Sequence, residues 1–351
     1  MGSHTLYRRV TSNVLVNVTI GTGDFIQSPK ALALQVSCGL TSCFIVYLFL
    51  SALQRYKKSL HLCNNWDNCD SIFLYLCIGF IKLSDMKIVL IGAGNLATQL
   101  GLALSQAGQQ MVQVYSRTAE HASELAAKLG CDFTTNIDEI TPNADIYIIS
   151  VKDDAIATLA EKVGRKAGQA IVVHTAGSIA MQVLQPHAQH YGVLYPMQTF
   201  SKNKRVDFKP IPCFIEASDE ATLATIRTLA ESVSQNVVPA TSAQRKKLHL
   251  AAVLACNFAN HCYRLAEKVL EEEQMDFKLF LPLIDETAKK VSQLSPKQAQ
   301  TGPMMRWDTG VMQMQMALLK DERTRQIYQL MAESIHADAT SADDTCRRPE
   351  A

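Results

Sequence analysis

The fold of this chain is decided by the segment Lys87-Ile88-Val89-Leu90-Ile91-Gly92-Ala93-Gly94-Asn95-Leu96-Ala97. Its mainly apolar first half predicts a short strand, and residues 95–107 have helical spacing, with Gly108 where a helix C-cap belongs. Between strand and helix lies a GxGxxA pattern, which directs the unpaired N–H groups of a helix N-terminus at a pyrophosphate. We therefore predict a dinucleotide cradle made of Gly92, Gly94, Asn95, Leu96 and Ala97.

After this segment, strands and helices alternate. The pattern predicts strands at 112–115, 145–150, 170–175, 192–195, 212–216 and 236–238, with helices at 119–129 and 220–233. This alternation implies an α/β Rossmann domain with a parallel, doubly wound sheet. Beyond it, Thr241 and Gln244 have the spacing of a capping box, and helices are predicted to about 271 and at 276–294, 310–320 and 322–336.

Four segments follow from this pattern: an N-terminal extension (1–85), a dinucleotide-binding domain (86–239), an all-α domain for substrate binding or dimerisation (240–336) and a disordered polar tail (337–351). Residues 31–53 carry no charge and are followed by Arg55, Lys57 and Lys58, as in a membrane helix. We favour another interpretation, a start codon assigned too far upstream, because Met86 and Lys87 open a strand as a natural N-terminus would. Only if residues 31–53 are genuine do we expect a membrane anchor.

Composition excludes some classes of partner. The chain has 351 residues, 48% hydrophobic and 19% charged, which is typical of globular domains with a sizeable core. With 34 basic and 33 acidic residues the net charge is +1, so no overall field attracts nucleic acid. Five of the ten cysteines lie before residue 86 and the others form no CxxC pair, so we expect reduced thiols in a cytoplasm and no metal site.

The end of the second predicted strand distinguishes NAD from NADP. A carboxylate there would bind the ribose 2′-hydroxyl, but this chain has Tyr115-Ser116-Arg117-Thr118. Arg117 can pair with a 2′-phosphate, and the hydroxyls of Ser116 and Thr118 can donate to it. We therefore predict NADP as the cofactor.

In doubly wound folds the ligand lies beyond the carboxyl ends of the strands, which selects residues 150–153, 174–177 and 195–199. The helix after Thr241 adds His249 and Asn257, eight residues apart on one predicted face. His249 can donate a proton to a substrate heteroatom as hydride arrives, while Asn257 orients the carbonyl or imine. An equal alternative is that both side chains make structural hydrogen bonds at a domain interface.

The segment from Met86-Lys87-Ile88-Val89 through Ser116-Arg117-Thr118 resembles the pyrroline-5-carboxylate reductase-like group, which includes deazaflavin-dependent NADP oxidoreductases. Further along, the chain resembles a little-characterised bacterial subfamily that joins a Rossmann-like domain to a C-terminal helical domain of unknown function. The motifs that carry this resemblance are Tyr195-Pro196-Met197-Gln198-Thr199-Phe200, Lys247-Leu248-His249, Asn257-Phe258-Ala259-Asn260-His261, and Thr301-Gly302-Pro303 with Arg306 and Asp308. The resemblance covers about residues 86–335.

The resemblance implies a homodimer, with helical domains packed like the C-terminal domain of 6-phosphogluconate dehydrogenase relatives. It also implies that Val151 and Asp153 border the ribose, and that His174 and Thr175 border the nicotinamide ring. Related β-hydroxyacid dehydrogenases use a lysine on the equivalent helix, which makes Lys247 a competing acid, although Ala251 stands where their asparagine would be. Tyr195 departs from the histidine expected before the proline.

These features together predict an enzyme that reduces a small C=O or C=N substrate with NADPH, or catalyses the reverse, in an interdomain cleft. The alternative is a non-catalytic NADP-binding sensor or scaffold that keeps the fold but lacks an acid. The substrate and any dependence on a deazaflavin stay open, because a fold and a cofactor site do not determine the chemistry.

Overall fold

The computed structural model describes residues 85–341 and, at the N-terminal end, the backbone of two short strands. These strands, β1 (His4–Leu6) and β2 (Val18–Ile20), pair antiparallel. The possible membrane segment at 31–53 lies outside the described residues. Within the described residues, none of the helices is both long enough and apolar enough to cross a membrane.

The centre of the molecule is an eight-stranded sheet. Its strands are β3 (Lys87–Ile91), β4 (Gln110–Tyr115), β5 (Asp132–Thr134), β6 (Ile146–Ile149), β7 (Ile171–His174), β8 (His190–Pro196), β9 (Pro212–Ala217) and β10 (Asn236–Pro239). Their order is β10-β9-β8-β7-β6-β3-β4-β5, so the chain changes direction across the sheet between β3 and β6. A crevice for ligands opens beyond the carboxyl ends of the strands at such a switch point.

Strands β3 to β8 are parallel, which confirms the Rossmann prediction for that part of the sheet. The prediction of a parallel sheet does not extend to its end, because β9 runs antiparallel to β8 and β10 continues parallel to β9. The antiparallel β9 begins at the same edge where β8 ends. The connection between these two strands therefore stays at the ligand edge of the sheet.

Helices cover both faces of the sheet, and alternate residues of β3 show which helix lies on which face. Ile88 and Leu90 belong to the core under α1 (Asn95–Gln106), α2 (Ala119–Leu129) and α4 (Glu220–Glu231). Val89 and Ile91 face the core under α3 (Asp153–Ala167). A strand buried on both faces needs an apolar side chain at every position, as β3 has after Lys87. Helix α3 and strand β5 were not among the predicted elements.

The rest of the described chain is helical, as predicted. It comprises α5 (Ser242–Ala252), a π-helical segment (Val253–Phe258), α6 (Ala259–Glu272), α7 (Leu281–Gln293), α8 (Pro296–Ala299), α9 (Thr309–Leu318) and α10 (Glu322–Thr340). The capping box at Thr241 and Gln244 is present. Helix α10 continues past the predicted end at His336, while residues 342–351 of the predicted tail lie outside the described residues.

Candidate active site

The loop between β3 and α1 requires its first glycine for steric reasons. Gly92 has φ +123°, and a Cβ atom there would lie 2.1 Å from the carbonyl oxygen of Ser150. Its N–H donates to the Tyr115 carbonyl at 2.8 Å, which ties the turn to the end of β4. Only glycine fits between three strands in this conformation.

The next positions leave room for a phosphate. A Cβ at Gly94 would meet no atom within 4 Å, so the backbone is open on that side. Gly94 is also the N-cap of α1, which has no side-chain cap and no acidic residue in its first turn. Its first N–H groups are therefore available to an anion, and Ala97 is fully buried where the helix crosses the sheet. These residues fit a dinucleotide pyrophosphate, with Asn95 and Leu96 supplying first-turn N–H groups.

The end of β4 fits the 2′-phosphate end of such a ligand. Arg117 is exposed and has no hydrogen bond or ion pair with another residue in the described part of the chain. The Ser116 hydroxyl accepts from the N–H of Thr118 at 3.4 Å, so its own proton is free to be donated. No carboxylate occurs between Tyr115 and Thr118.

The loops after β6 and β7 meet beside Gly92, as predicted from the strand ends. A Cβ at Gly92 would lie 3.2 Å from Val151, and the Thr175 hydroxyl donates to Ser150 Oγ at 3.1 Å. The Asp153 carboxylate accepts from the Ser178 hydroxyl, which joins the start of α3 to the loop after β7. The three predicted residues Val151, Asp153 and Thr175 therefore lie around one crevice. Their contacts with a cofactor stay predictions.

His174 lies at the end of β7 and is completely buried. Its Nδ1 accepts from the N–H of Ala176 at 3.1 Å, and its Nε2 has no hydrogen-bond partner among the described residues. Burial lowers the pKa of His174 to about 4, and the nearby charge of Arg245 acts in the same direction. The ring is therefore neutral near pH 7 and supports the loop after β7, while contact of His174 with a nicotinamide stays a prediction.

A buried arginine that we did not predict joins this loop to the helical part. Arg245 of α5 is fully buried, and its Nε donates to the Ala176 carbonyl at 3.2 Å. Its two terminal nitrogens donate to the Glu216 carboxylate and to the Ile179 carbonyl. The Ser242 N–H donates to the same carboxylate at 2.8 Å. Strand β9, the loop after β7 and helix α5 therefore meet at one ion pair.

One turn after Arg245, His249 lies against both β8 and the loop after β7. Its Nδ1 is 3.0 Å from the Tyr195 hydroxyl oxygen, and the two rings meet edge to face with centroids 6.0 Å apart. A Cβ at Gly177 would lie 2.7 Å from Nδ1, so only glycine lets the imidazole rest on this loop. The structure therefore brings His249 to the carboxyl edge of the sheet, together with Tyr195, which the sequence had placed in a strand-end segment and marked as a departure from its relatives.

The other two predicted catalytic residues, Lys247 and Asn257, are exposed, and neither bonds to His249 in the described structure. Asn257 belongs to the π-helical segment, which holds more residues per turn than an α-helix. That His249 and Asn257 share one helix face stays a prediction. A role for either residue stays a prediction.

Two family descriptions match the chain. Residues 87–177 match the family described as "NADP oxidoreductase coenzyme F420-dependent", and residues 211–335 match a domain of unknown function, DUF2520. The first match contains the glycine loop and Arg117. The second contains Glu216, Arg245 and His249.

Three solved structures are similar to most of the chain. A Bacteroides fragilis protein, provisionally named an NADP oxidoreductase, is 50% identical; the alignment covers 72% of this chain and 98% of that one, with a TM-score of 0.70. A Thermotoga maritima protein is 21% identical over 72% of this chain and 100% of its own, with a TM-score of 0.60. An imine reductase from Myxococcus stipitatus, in complex with NADP+, is 18% identical over 74% of this chain and 95% of its own, with a TM-score of 0.52. At such low identities, the last two show a shared fold alone.

Among curated proteins, a stretch of 150 residues is 29% identical to a glutamyl-tRNA reductase from Staphylococcus carnosus. The alignment covers 40% of this chain and 33% of that protein. The chain thus spans about a third of the length of this relative, so the match concerns a part of it only.

Proposed function

This chain belongs to the family of NADP oxidoreductases that join this nucleotide-binding domain to the DUF2520 domain, and we propose that it transfers a hydride between NADPH and a small C=O or C=N substrate. NADPH, when bound, supplies the hydride. The observation that carries the proposal is the position of His249, which lies on a helix after the Rossmann domain yet reaches the carboxyl edge of its sheet. A proton donor at that edge, facing the crevice beside the glycine loop, is what carbonyl or imine reduction requires.

The choice of NADP over NAD rests on Arg117, whose guanidinium has no hydrogen bond or ion pair within the described residues, and on the absence of a carboxylate between Tyr115 and Thr118. An arginine can pair both oxygens of a 2′-phosphate, whereas NADH offers it only a hydroxyl. Titration of the protein with NADPH and NADH, followed by nicotinamide fluorescence, tests this choice. Arg117→Ala should weaken NADPH binding about tenfold to a hundredfold and leave NADH binding nearly unchanged. Arg323→Ala, an exposed arginine on α10, is the control; equal weakening of both dinucleotides by Arg117→Ala would contradict the assignment.

Turnover is tested by NADPH oxidation with small carbonyl compounds and small cyclic imines. The imine 2-methyl-1-pyrroline is a reasonable first probe, since one fold neighbour is an imine reductase. We expect His249→Gln to lower kcat about 10²- to 10⁴-fold, the usual contribution of a general acid, with little change in NADPH affinity. Lys247→Gln and Asn257→Ala then decide whether the two exposed candidates contribute. Coenzyme F420 is assayed in parallel as an alternative redox partner, because the family description names it.

The second candidate function is an NADP-binding sensor or scaffold. It is favoured by the Arg245 ion pair, which links the loop beside the cofactor crevice to the helical part and would transmit cofactor binding equally well without catalysis. Two results together would support this function over the enzyme. The protein would bind NADPH but oxidise it with none of the substrates, and His249→Gln would leave NADPH binding unchanged.

We also propose a homodimer, in which the helical part is covered by a second copy. Several large apolar side chains there are well exposed in the single chain, including Leu279 (64%), Leu318 (74%) and Leu330 (66%). Exposed apolar surface on this scale marks an interface. Sedimentation equilibrium should give twice the chain mass, and Leu330→Glu should shift it towards the monomer. Lys162→Glu, on the exposed side of α3, is the control.

A cytoplasmic location remains our proposal. It is supported by the four described cysteines (Cys131, Cys213, Cys256 and Cys262), which are all free, as is usual where thiols stay reduced. Cell fractionation checks it. Recovery of the intact chain in the membrane fraction would contradict it.

A further inference from the structure

We propose that Tyr195 is a positioning residue, whose hydroxyl donates to Nδ1 of His249 and keeps the proton of the neutral imidazole on Nε2, where the substrate meets it. The catalytic part of this inference rests on the proposed function, because it requires His249 to act as the proton donor. The tautomer itself is a property of the protein without substrate, and it can be measured separately.

The surroundings of the Tyr195 hydroxyl determine the direction of its hydrogen bond. Tyr195 is buried in β8, with its ring against Phe214 at a centroid distance of 6.3 Å. Burial raises the pKa of Tyr195, so the phenol keeps its proton at neutral pH. Among the described residues, His249 Nδ1 is the partner of this hydroxyl, at 3.0 Å. A buried phenol proton without an acceptor is costly, so the hydroxyl donates and Nδ1 accepts.

This hydrogen bond determines which nitrogen of the His249 imidazole carries the proton. A neutral imidazole whose Nδ1 accepts a hydrogen bond carries its proton on Nε2. The Nδ1 side of the ring is held against the loop after β7, because the Cβ, Cγ and Nδ1 atoms of His249 all lie within 2.9 Å of a Cβ placed on Gly177. The ring cannot exchange its two nitrogens without leaving this position. Nε2, which has no hydrogen-bond partner among the described residues, is then the nitrogen left for a ligand.

Tyr195 and His249 together can supply the proton that the substrate takes up. As the substrate carbon receives the hydride, its π electrons move to the oxygen or nitrogen, and that atom takes the proton from Nε2 of His249. Nδ1 takes the hydroxyl proton of Tyr195, so the ring still holds one proton after the transfer. Before the next turnover Nδ1 returns its proton to the Tyr195 oxygen and Nε2 takes a proton from solvent, which restores the Nε2–H tautomer. The tyrosine thus spares the ring an imidazolate charge while Nε2 gives up its proton.

The test is a long-range ¹H–¹⁵N spectrum of the full chain labelled with ¹⁵N-histidine, without substrate. The signals of His249 are identified by their loss in His249→Gln. We expect the Nε2–H tautomer in the wild type and a shift towards a mixture of tautomers in Tyr195→Phe. Tyr147→Phe is the control, because it removes another buried hydroxyl, which donates to the Thr141 carbonyl at 2.7 Å away from the site. An Nδ1–H tautomer in the wild type would overturn the inference, and so would an unchanged His249 spectrum in Tyr195→Phe.

Kinetics give a second readout. With 2-methyl-1-pyrroline as the probe, Tyr195→Phe should lower kcat about tenfold, a factor within reach of one hydrogen bond, and leave the KM for NADPH unchanged. Tyr147→Phe should leave both constants unchanged. A wild type that turns over no substrate would refute the proposed function, and the spectrum would still decide the tautomer.

Discussion

Removing the carboxylate of Glu216 should destabilise the protein strongly, because it leaves the charge of Arg245 buried and unpaired. The Arg245 side chain is 0% exposed and that of Glu216 is 13% exposed, so little water can replace the lost partner. Breaking one side of a buried ion pair costs about 3–5 kcal/mol. For a domain of this size, each kcal/mol lowers Tm by about 2–4 °C, so we expect Glu216→Ala to melt roughly 6–20 °C below the wild type.

Calorimetry and urea unfolding at neutral pH measure this loss. The control is Glu267→Ala, which removes a partner of Arg264 from an exposed ion pair and should change Tm little, since water screens that pair. The double variant Glu216→Leu with Arg245→Met should be more stable than Glu216→Ala alone, because no unpaired charge remains. A loss below about 1 kcal/mol in Glu216→Ala would refute the argument, since it would show that water or another group already neutralises Arg245.

Two further predictions follow from the same loop. Gly177→Ala should cost about 1–3 kcal/mol and reduce turnover more than NADPH binding, because the new methyl group would lie 2.7 Å from Nδ1 and 2.9 Å from Cβ of His249. Gly310→Ala, whose methyl would approach no atom closer than 3.8 Å, is the control, and equal effects of the two would contradict the steric reasoning. For His174 the folded pKa of about 4 lies below the ordinary 6.5, so the unfolded chain binds more protons between these values and stability falls as pH drops through that window. The free energy of unfolding should fall by about 3 kcal/mol by pH 4, and this fall should be absent in His174→Gln. If the free energies of unfolding of the two proteins change in parallel with pH, the prediction is wrong.

Local patterns in the sequence were enough to predict the glycine loop, the elements on either side of it and the segment around Arg117. The strand, the glycine turn and the helix follow one another directly in the chain, from Lys87 to Gln106. Hydrophobic periodicity and the position of Gly92 were therefore enough to predict them. The absence of a carboxylate beside Arg117 is local in the same sense. The capping box at Thr241 was also correctly predicted, because its two partners are three residues apart.

The direction of β9 and the contacts of the candidate site were decided by the tertiary structure, because these features depend on residues that are far apart in the chain. Strand β9 runs antiparallel to β8 because the connection between them stays at one edge of the sheet. The apolar pattern of β9 would be the same for a parallel strand, so the sequence does not reveal its direction. Glu216 and Arg245 are 29 residues apart, and Tyr195 and His249 are 54 apart. No periodicity connects such pairs. In the sequence, each of these four residues looks like an ordinary strand or helix residue. Only folding brings the charges and hydroxyls within hydrogen-bonding distance, and burial then strengthens the interactions between them.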